Sequence, residues 1–276
     1  MAAIDSSKFI IIGATGQLSL ALQQQYAQAK VVGSSVLDIS DSQAVSQYDW
    51  ADVEVILNAA AYTNVDGAES AEGRIAAWKV NASGVRNLTA AAIKHDITIV
   101  HVSSDYVFDG TQVPHTEDEA FSPLGVYGQT KAAGDLAVSL APKHYLLRTS
   151  WVIGEGKNFV RTMLGLGAKG ISPGVVCDQI GRLTFTSELV RATDHLLTTQ
   201  PAYGTYNVSN SGDSASWADI TRAIFELSGY DLTVSDVKTA DYFKDKPEAS
   251  PRPLQSSLDL QKIEATGYTP RDWRRP

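Results

Sequence analysis

The chain has 276 residues, 43% of them hydrophobic and 20% charged, which is the composition of a soluble globular protein. Its 23 basic and 31 acidic side chains leave a net charge of −8, which argues against general nucleic-acid binding, and no apolar run approaches the ~18–20 residues of a membrane helix. A single cysteine, Cys177, excludes an intrachain disulfide and any cysteine-rich metal centre, and the start MAAIDSSK is no secretion signal, so a cytoplasmic protein is expected.

Through residue 150, short β-branched runs alternate with longer amphipathic stretches. Lys8–Gly13 reads as a buried strand ended by glycine, and Gly16–Ala29 as a helix. Val31–Val32 and Val36–Ile39 are short strands, Asp41 caps a helix through Tyr48, and Glu54–Leu57 is the next strand. An Ala-rich helix from about Glu69 to His95, interrupted near Gly84, precedes the strand Ile97–Val102. A polar loop runs to Gly125, then come a helix to Leu140 and the strand Tyr145–Thr149. This alternation predicts an α/β fold: a Rossmann-type, doubly wound parallel sheet covered on both faces.

After Trp151 the alternation loosens. Asn158–Ala168, Ser187–Thr198 and Ser216–Ser228 read as helices, the last capped by Ser214 or Ser216. Gly204–Val208 reads as a strand, and the proline-bearing stretch Asp236–Leu254 as an irregular arm. The expectation is a nucleotide-binding domain over 1–150 and, over 151–276, a smaller, discontinuous substrate-binding lobe with segments returning to the first domain.

Gly13-Ala-Thr-Gly16 lies where the first strand turns into the first helix. Glycine lets that turn approach a pyrophosphate, whose charge the helix N-terminus favours. The spacing is that of short-chain dehydrogenases, with Ser19 where a third glycine is usual. At the end of the second strand an acid would bind a ribose 2′-hydroxyl and repel a 2′-phosphate. Here stand Gly33-Ser34-Ser35, so NADPH is admissible and Ser34 or Ser35 is placed to touch the phosphate. Asp38 is placed to meet the adenine amino group, or else serves as a helix N-terminal carboxylate.

Tyr127 and Lys131 stand four apart on one helix face. A phenol with a pKa near ~10 is a poor proton donor at neutral pH. A nearby ammonium lowers that value and also suits ribose hydroxyls. The pair follows the glycine turn by about 110 residues and comes soon after a strand ending Ser103-Ser104.

In these elements the chain resembles the dTDP-4-dehydrorhamnose reductase family of extended short-chain dehydrogenase/reductases. The matching segments are Gly13–Leu18, Asn58–Asp66, Asn81–Asn87, Ser103–Asp109, Val126–Lys131 and Leu147–Val152. Asp178-Gln179, Arg252-Pro253, Ser256, Leu258-Asp259, Pro270 and Trp273 extend the match through nearly the whole length. The resemblance implies an oxidoreductase that reduces a nucleotide-linked 4-keto-6-deoxyhexose, foremost dTDP-4-dehydro-L-rhamnose, with NADPH or NADH. It implies Tyr127 as proton donor, Lys131 as its tuner and Ser104, in place of the usual threonine, as partner of the keto oxygen. Gly13, Thr15, Gly16, Gln17 and Leu18 would hold the pyrophosphate, Ser34, Asp38 and Ile39 the adenosine end, and Ala59, Ala60 and Ala61 the ribose side. Val102 would lie under the nicotinamide. Asp105, Tyr106, Trp151 and Arg252 would meet the substrate.

Simpler readings compete. Trp151 suits a core, Asp105 a turn cap, and Ala59–Ala61 tight packing. Asn81 is either a backbone-bonding support for the lysine or a helix-kink residue, and Glu117-Asp-Glu119 reads as a solvated loop. Some branches of the family place a cation between subunits; Glu188 matches one such position, but another is Ala21 here, and the five histidines show no ligand pairing, so no metal is expected. A homodimer is compatible with the resemblance. The alternative function is a non-catalytic regulatory subunit resembling the β subunit of methionine adenosyltransferase, although Ser104, Tyr127 and Lys131 together fit an enzyme better. A dehydratase is weaker still, because Asp105 and Tyr106 stand where a glutamate is wanted.

Overall fold

The computed structural model describes residues 5–275. β1 (Phe9–Ile12), buried throughout, turns into α1 (Gln17–Gln25) and returns as β2 (Lys30–Val32). The strand expected at Val36–Ile39 is a turn instead: the amides of Val36 and Leu37 both donate to the Gly33 carbonyl, and only Leu37 and Ile39 reach the core. Asp41 caps α2 (Ser42–Gln47) by accepting from the Gln43 and Ala44 amides, and β3 (Val55–Asn58) follows. The long Ala-rich helix comes in three pieces. α3 (Ala71–Trp78), capped by Ser70, runs through a wide π turn at Lys79–Gly84 into α4 (Val85–Lys94). β4 (Thr98–Val102), α5 (Val126–Val138) and β5 (His144–Arg148) complete the alternation.

Beyond it lie β6 (Val152–Ile153), α6 (Phe159–Ala168), β7 (Gly174–Val176), β8 (Ile180–Gly181) and β9 (Thr184–Phe185). α7 (Thr186–Thr199) and β10 (Gly204–Asn207) precede β11 (Ala215–Ser216) and α8 (Trp217–Leu227). Ser216, not Ser214, caps α8, in a reciprocal box with Asp219. The arm expected to be irregular holds most of β12 (Ser235–Val237) and the short α9 (Thr239–Tyr242); α10 (Gln261–Glu264) comes last. Among the described residues no helix is long and apolar enough to cross a membrane.

The large sheet runs β10-β5-β4-β3-β1-β2, all parallel. Alternate residues of its strands feed opposite layers. Phe9, Ile11, Leu57 and Leu147 pack with Leu22 of α1 and Leu189 and Leu196 of α7. Ile10, Ile12, Ile56 and Ile99 pack with Leu88 and Ala92 of α4. Each of these Phe, Ile and Leu side chains contributes roughly 1.5–3 kcal/mol on burial. α7 and β10 therefore belong to the large sheet's layers, although they follow residue 150. The smaller assembly pairs β6 with β9, β8 with β11 and β7 with β12 around Phe159, Met163, Trp217 and Phe225. Because the chain leaves β1 for β2 on one side and resumes at β3 on the other, a crevice opens beyond the carboxyl ends of β1 and β3.

Candidate active site

Gly13 ends β1 with φ +98°, and a methyl group on it would lie 3.1 Å from the Ala60 nitrogen. The glycine therefore serves both a left-handed turn and close contact with the strand-end loop Ala59–Ala61. Ser19, fully buried, donates its hydroxyl to the Gly13 carbonyl, so it locks the turn where a third glycine was expected. Thr15 and Gly16 are exposed, Leu18 is half-buried, and the Gln17 carboxamide oxygen accepts from the Gly154 amide at 2.8 Å, tying the turn to the smaller lobe. Ser34 is exposed at the end of β2. Asp38 turns back on its own loop, accepting from the Ser40 amide at 2.9 Å and its hydroxyl at 2.8 Å. Ile39 is buried, its side chain against Gly84.

At the end of β4, Ser104 caps a short turn. Its hydroxyl accepts from the Tyr106 amide and donates to Asp105 Oδ1 at 3.0 Å. α5 delivers Tyr127 to this turn because its glycines permit close approach. A methyl group on Gly128 would lie 2.1 Å from the Tyr106 carbonyl oxygen, and one on Gly134 2.4 Å from that of Asn81. The rings of Tyr106 and Tyr127 consequently meet edge to face at 5.6 Å. Gly128→Ala is expected to lose about 1–3 kcal/mol of stability by overpacking and to separate Tyr127 from Ser104. Thermal melts together with turnover check it, and unchanged values for both would show that the helix has room to give.

Burial, and then the Asp105 carboxylate, pushes the Tyr127 phenol up to about 12, against the opposing pull of Ser104. The phenol thus lies above its ordinary value, not below it as tuning by Lys131 would place it. Among the described residues Lys131 makes no hydrogen bond to the phenol; its Nζ donates to the Val102 carbonyl at 2.7 Å. Burial draws the Lys131 ammonium down to about 8, with Asp135 one turn on acting the other way. Asp135 is itself buried and paired with Arg148 Nε at 3.0 Å. Asp105 is pushed by burial up to about 6, against Ser256 and Ser104. Asn81 accepts from the Tyr62 amide and donates to the Tyr62 carbonyl and to Thr130, so it fastens the crevice loop to α5 from within the π turn.

The remaining sequence candidates are engaged by other partners. Trp151, at φ +46°, stacks on Trp217 at 3.7 Å and belongs to the smaller lobe's apolar cluster, so packing claims much of its surface. Arg252 pairs with Asp66 at 2.6 Å and donates to the Ser250 carbonyl; its field also bears on the Tyr106 phenol. The loop read as solvated is in fact fastened. Glu117 accepts from the Asn207 amide, and Glu119 meets the buried His115 at 2.7 Å, because the loop lies over the end of β10. Glu188 is buried and spent on Tyr268, Arg191 and the Arg271 amide. Gly128, Asn58 and His101 carry no local sequence signal of their roles; the last two face each other only through the register of β3 and β4.

Residues 7–276 match the family described as RmlD substrate binding domain. A dTDP-4-dehydrorhamnose reductase of Aggregatibacter actinomycetemcomitans is 39% identical over 291 residues, covering 98% of this chain and 96% of that one. The spore coat polysaccharide biosynthesis protein SpsK of Bacillus subtilis is 36% identical over 97% of this chain and 94% of its own. Among solved structures, the dTDP-4-dehydrorhamnose reductase of Bacillus anthracis in complex with NADP superposes with a TM-score of 0.87 at 33% identity, covering 96% and 95% of the two chains. That of Clostridium acetobutylicum gives 0.88 at 36% identity, again over 96% and 95%. Likeness at this level, running from the glycine turn to the last described residues, makes the chain a member of the dTDP-4-dehydrorhamnose reductase family.

Proposed function

We propose that the protein reduces a nucleotide-linked 4-keto-6-deoxyhexose with NADPH or NADH, converting dTDP-4-dehydro-L-rhamnose to dTDP-L-rhamnose. The observation that carries this reading is the meeting of Ser104, Tyr127 and Lys131 at the end of β4, at the same carboxyl edge of the sheet as the glycine turn. The crevice suits a dinucleotide. A methyl group on Gly16 would meet nothing within 4 Å, so the ground above the α1 N-terminus is open, and that terminus has no side-chain cap. Gly13 to Leu18 would hold the pyrophosphate, Ser34, Asp38 and Ile39 the adenosine end, and Ala59 to Ala61 and Val102 the ribose and nicotinamide. The bound nicotinamide supplies the hydride.

The chain's own residues do the rest. Tyr127, kept neutral by burial and Asp105, gives its proton to the carbonyl oxygen as alkoxide character develops. Ser104, still accepting from the Tyr106 amide, turns its one hydroxyl proton from Asp105 to the same oxygen. Lys131 holds the ribose hydroxyls. The smaller lobe, with Trp151, would complete the substrate side that Ser104, Asp105 and Tyr106 begin. Holding the reacting carbons together in the crevice accounts for much of the acceleration. Purified protein should oxidise NADPH when given dTDP-4-dehydro-L-rhamnose; no oxidation with either cofactor would remove the reading in favour of a regulatory subunit.

Ser34 and Ser35, without an acid beside them, favour NADPH at least equally. Titration by tryptophan fluorescence should give it an affinity no weaker than that of NADH, and a preference of about tenfold for NADH, ~1.4 kcal/mol, would overturn this. Arg252, held by Asp66 and the Ser250 carbonyl, keeps further N–H groups that can meet the diphosphate. Arg252→Ala should raise the substrate KM roughly 10–100-fold, the loss of about 1.5–3 kcal/mol for a charge-assisted hydrogen bond, with cofactor affinity unchanged. An unchanged KM would return Arg252 to a purely structural pairing with Asp66.

A further inference from the structure

His101 is wholly buried near the end of β4, and no step above uses it. Its two ring nitrogens meet different partners. Nδ1 lies 2.9 Å from the Asn58 amide nitrogen on the adjoining strand, and Nε2 lies 3.4 Å from Lys131 Nζ. The orientation of the Asn58 amide is fixed from its other side, where Oδ1 accepts from the Ala60 N–H at 3.2 Å. The Asn58 nitrogen must then be the donor toward His101, and Nδ1 the acceptor. A neutral imidazole with an acceptor at Nδ1 carries its proton on Nε2. Burial, and then Lys131, holds His101 well below the usual histidine range, so neutral is its form.

We propose that His101 is a positioning residue for Lys131, its proton fixed on Nε2 by Asn58 so that an N–H rather than a lone pair meets the lysine nitrogen. An ammonium has three N–H groups and no lone pair, and against this N–H it meets donor with donor. A neutral amine accepts the imidazole proton and still donates to the Val102 carbonyl. His101 therefore opposes the charged lysine. The other groups bearing on the lysine come from its own helix and the elements beside it. Asp135, one turn on and paired with Arg148 of β5, favours the charge, while Tyr127, one turn back, is a neutral phenol beside Asp105 of the Ser104 turn. The inference rests on the reading of Tyr127 and Lys131 as the catalytic pair and adds a control on when the second of them is charged.

The test titrates Lys131 in the full chain without substrate, by NMR of lysines labelled with 13C at Cε, the signal being assigned by its loss in Lys131→Met. The wild-type midpoint should fall near 8. His101→Leu, which removes the opposing N–H, should raise it by about one pH unit, the worth of a single buried hydrogen bond. Asn58→Ala, which frees the imidazole to turn a lone pair to the lysine, should move it the same way. His101→Gln, able to accept from Asn58 and donate to Lys131, should stay near wild type. The alkaline limb of NADPH oxidation should shift in parallel. A wild-type midpoint at the ordinary lysine value, or one left in place by both His101→Leu and Asn58→Ala, would overturn the proposal. If His101→Leu does not fold, Asn58→Ala together with His101→Gln still decides it. Failure of the enzymatic reading shows separately, as absent NADPH oxidation with the lysine titrations intact.

Discussion

Replacing Tyr127 with phenylalanine is expected to lower the rate of ketone reduction by roughly 10²–10⁴. The ring would stay where it is, since it is packed edge-on against Tyr106 and beside the Ala68, Ala77 and Val126 cluster, so cofactor affinity should hardly change. What is removed is the one phenolic proton aimed at the Ser104 turn. With that phenol pushed up to about 12, the proton is in place throughout the neutral range, and any loss of reductase activity between pH 7 and 9 must come from another group. Lys131, drawn down to about 8, is that group, because its ammonium form disappears across this interval. Single-turnover NADPH oxidation measures the effect directly. A Phe variant within about threefold of wild type would leave no general acid to assign to Tyr127.

Lys131→Met should cost catalysis on a similar scale, roughly 10²-fold or more, and weaken cofactor binding as well, since the ammonium both supports the acid and holds the ribose. The same variant should be more stable at neutral pH. Burial lowers the lysine from 10.5 to about 8, so at pH 7 the folded protein carries a buried charge that the unfolded chain keeps in water. A gap of about two and a half pKa units corresponds to about 3 kcal/mol, taken as an upper order of magnitude. The sign follows from proton uptake. Between about pH 8 and 10.5 the unfolded chain binds the proton and the folded one does not, so wild-type stability rises with pH over that window. The advantage of the Met variant should therefore be largest below pH 8 and shrink above it. Chemical denaturation at pH 7 and pH 10 tests this, and a variant less stable than wild type at both would mean that Asp135 depends on the lysine more than on Arg148.

The parts of the molecule that were legible in the sequence are those whose cause is local. β1 announces itself as an apolar run ended by glycine, α2 by Asp41, and the Tyr127–Lys131 pair by helical spacing. Local pattern misled at Val36–Ile39, where two β-branched residues three apart signalled a strand, but the Gly33 carbonyl gathers two amides and closes a turn. Burial of Trp151 against Trp217 needed the smaller lobe in place. The Asp66–Arg252 pair joins residues 186 apart in sequence. The Asn58–His101 contact exists only once β3 and β4 pair in one register. No spacing rule within a strand or helix reaches such partners.

The π turn at Lys79–Gly84 has a consequence for the angular phase of the helix that follows. Successive residues of an α-helix step round the axis by about 100°, and a π turn holds one residue more than an α turn. α4 therefore leaves the turn rotated by about one residue relative to a continuous α3. That rotation sets Leu88, Ala91 and Ala92 against the sheet and leaves Arg86, Ala90 and Lys94 in solvent. Deleting any one residue between 79 and 84 would restore a regular helix locally and swing the whole of α4 by about 100°, trading its apolar stripe for its charged one. The extra residue acts as a gear offset, letting one rod present Ala77 beneath Tyr127 at one end and Leu88 beneath Ile56 at the other.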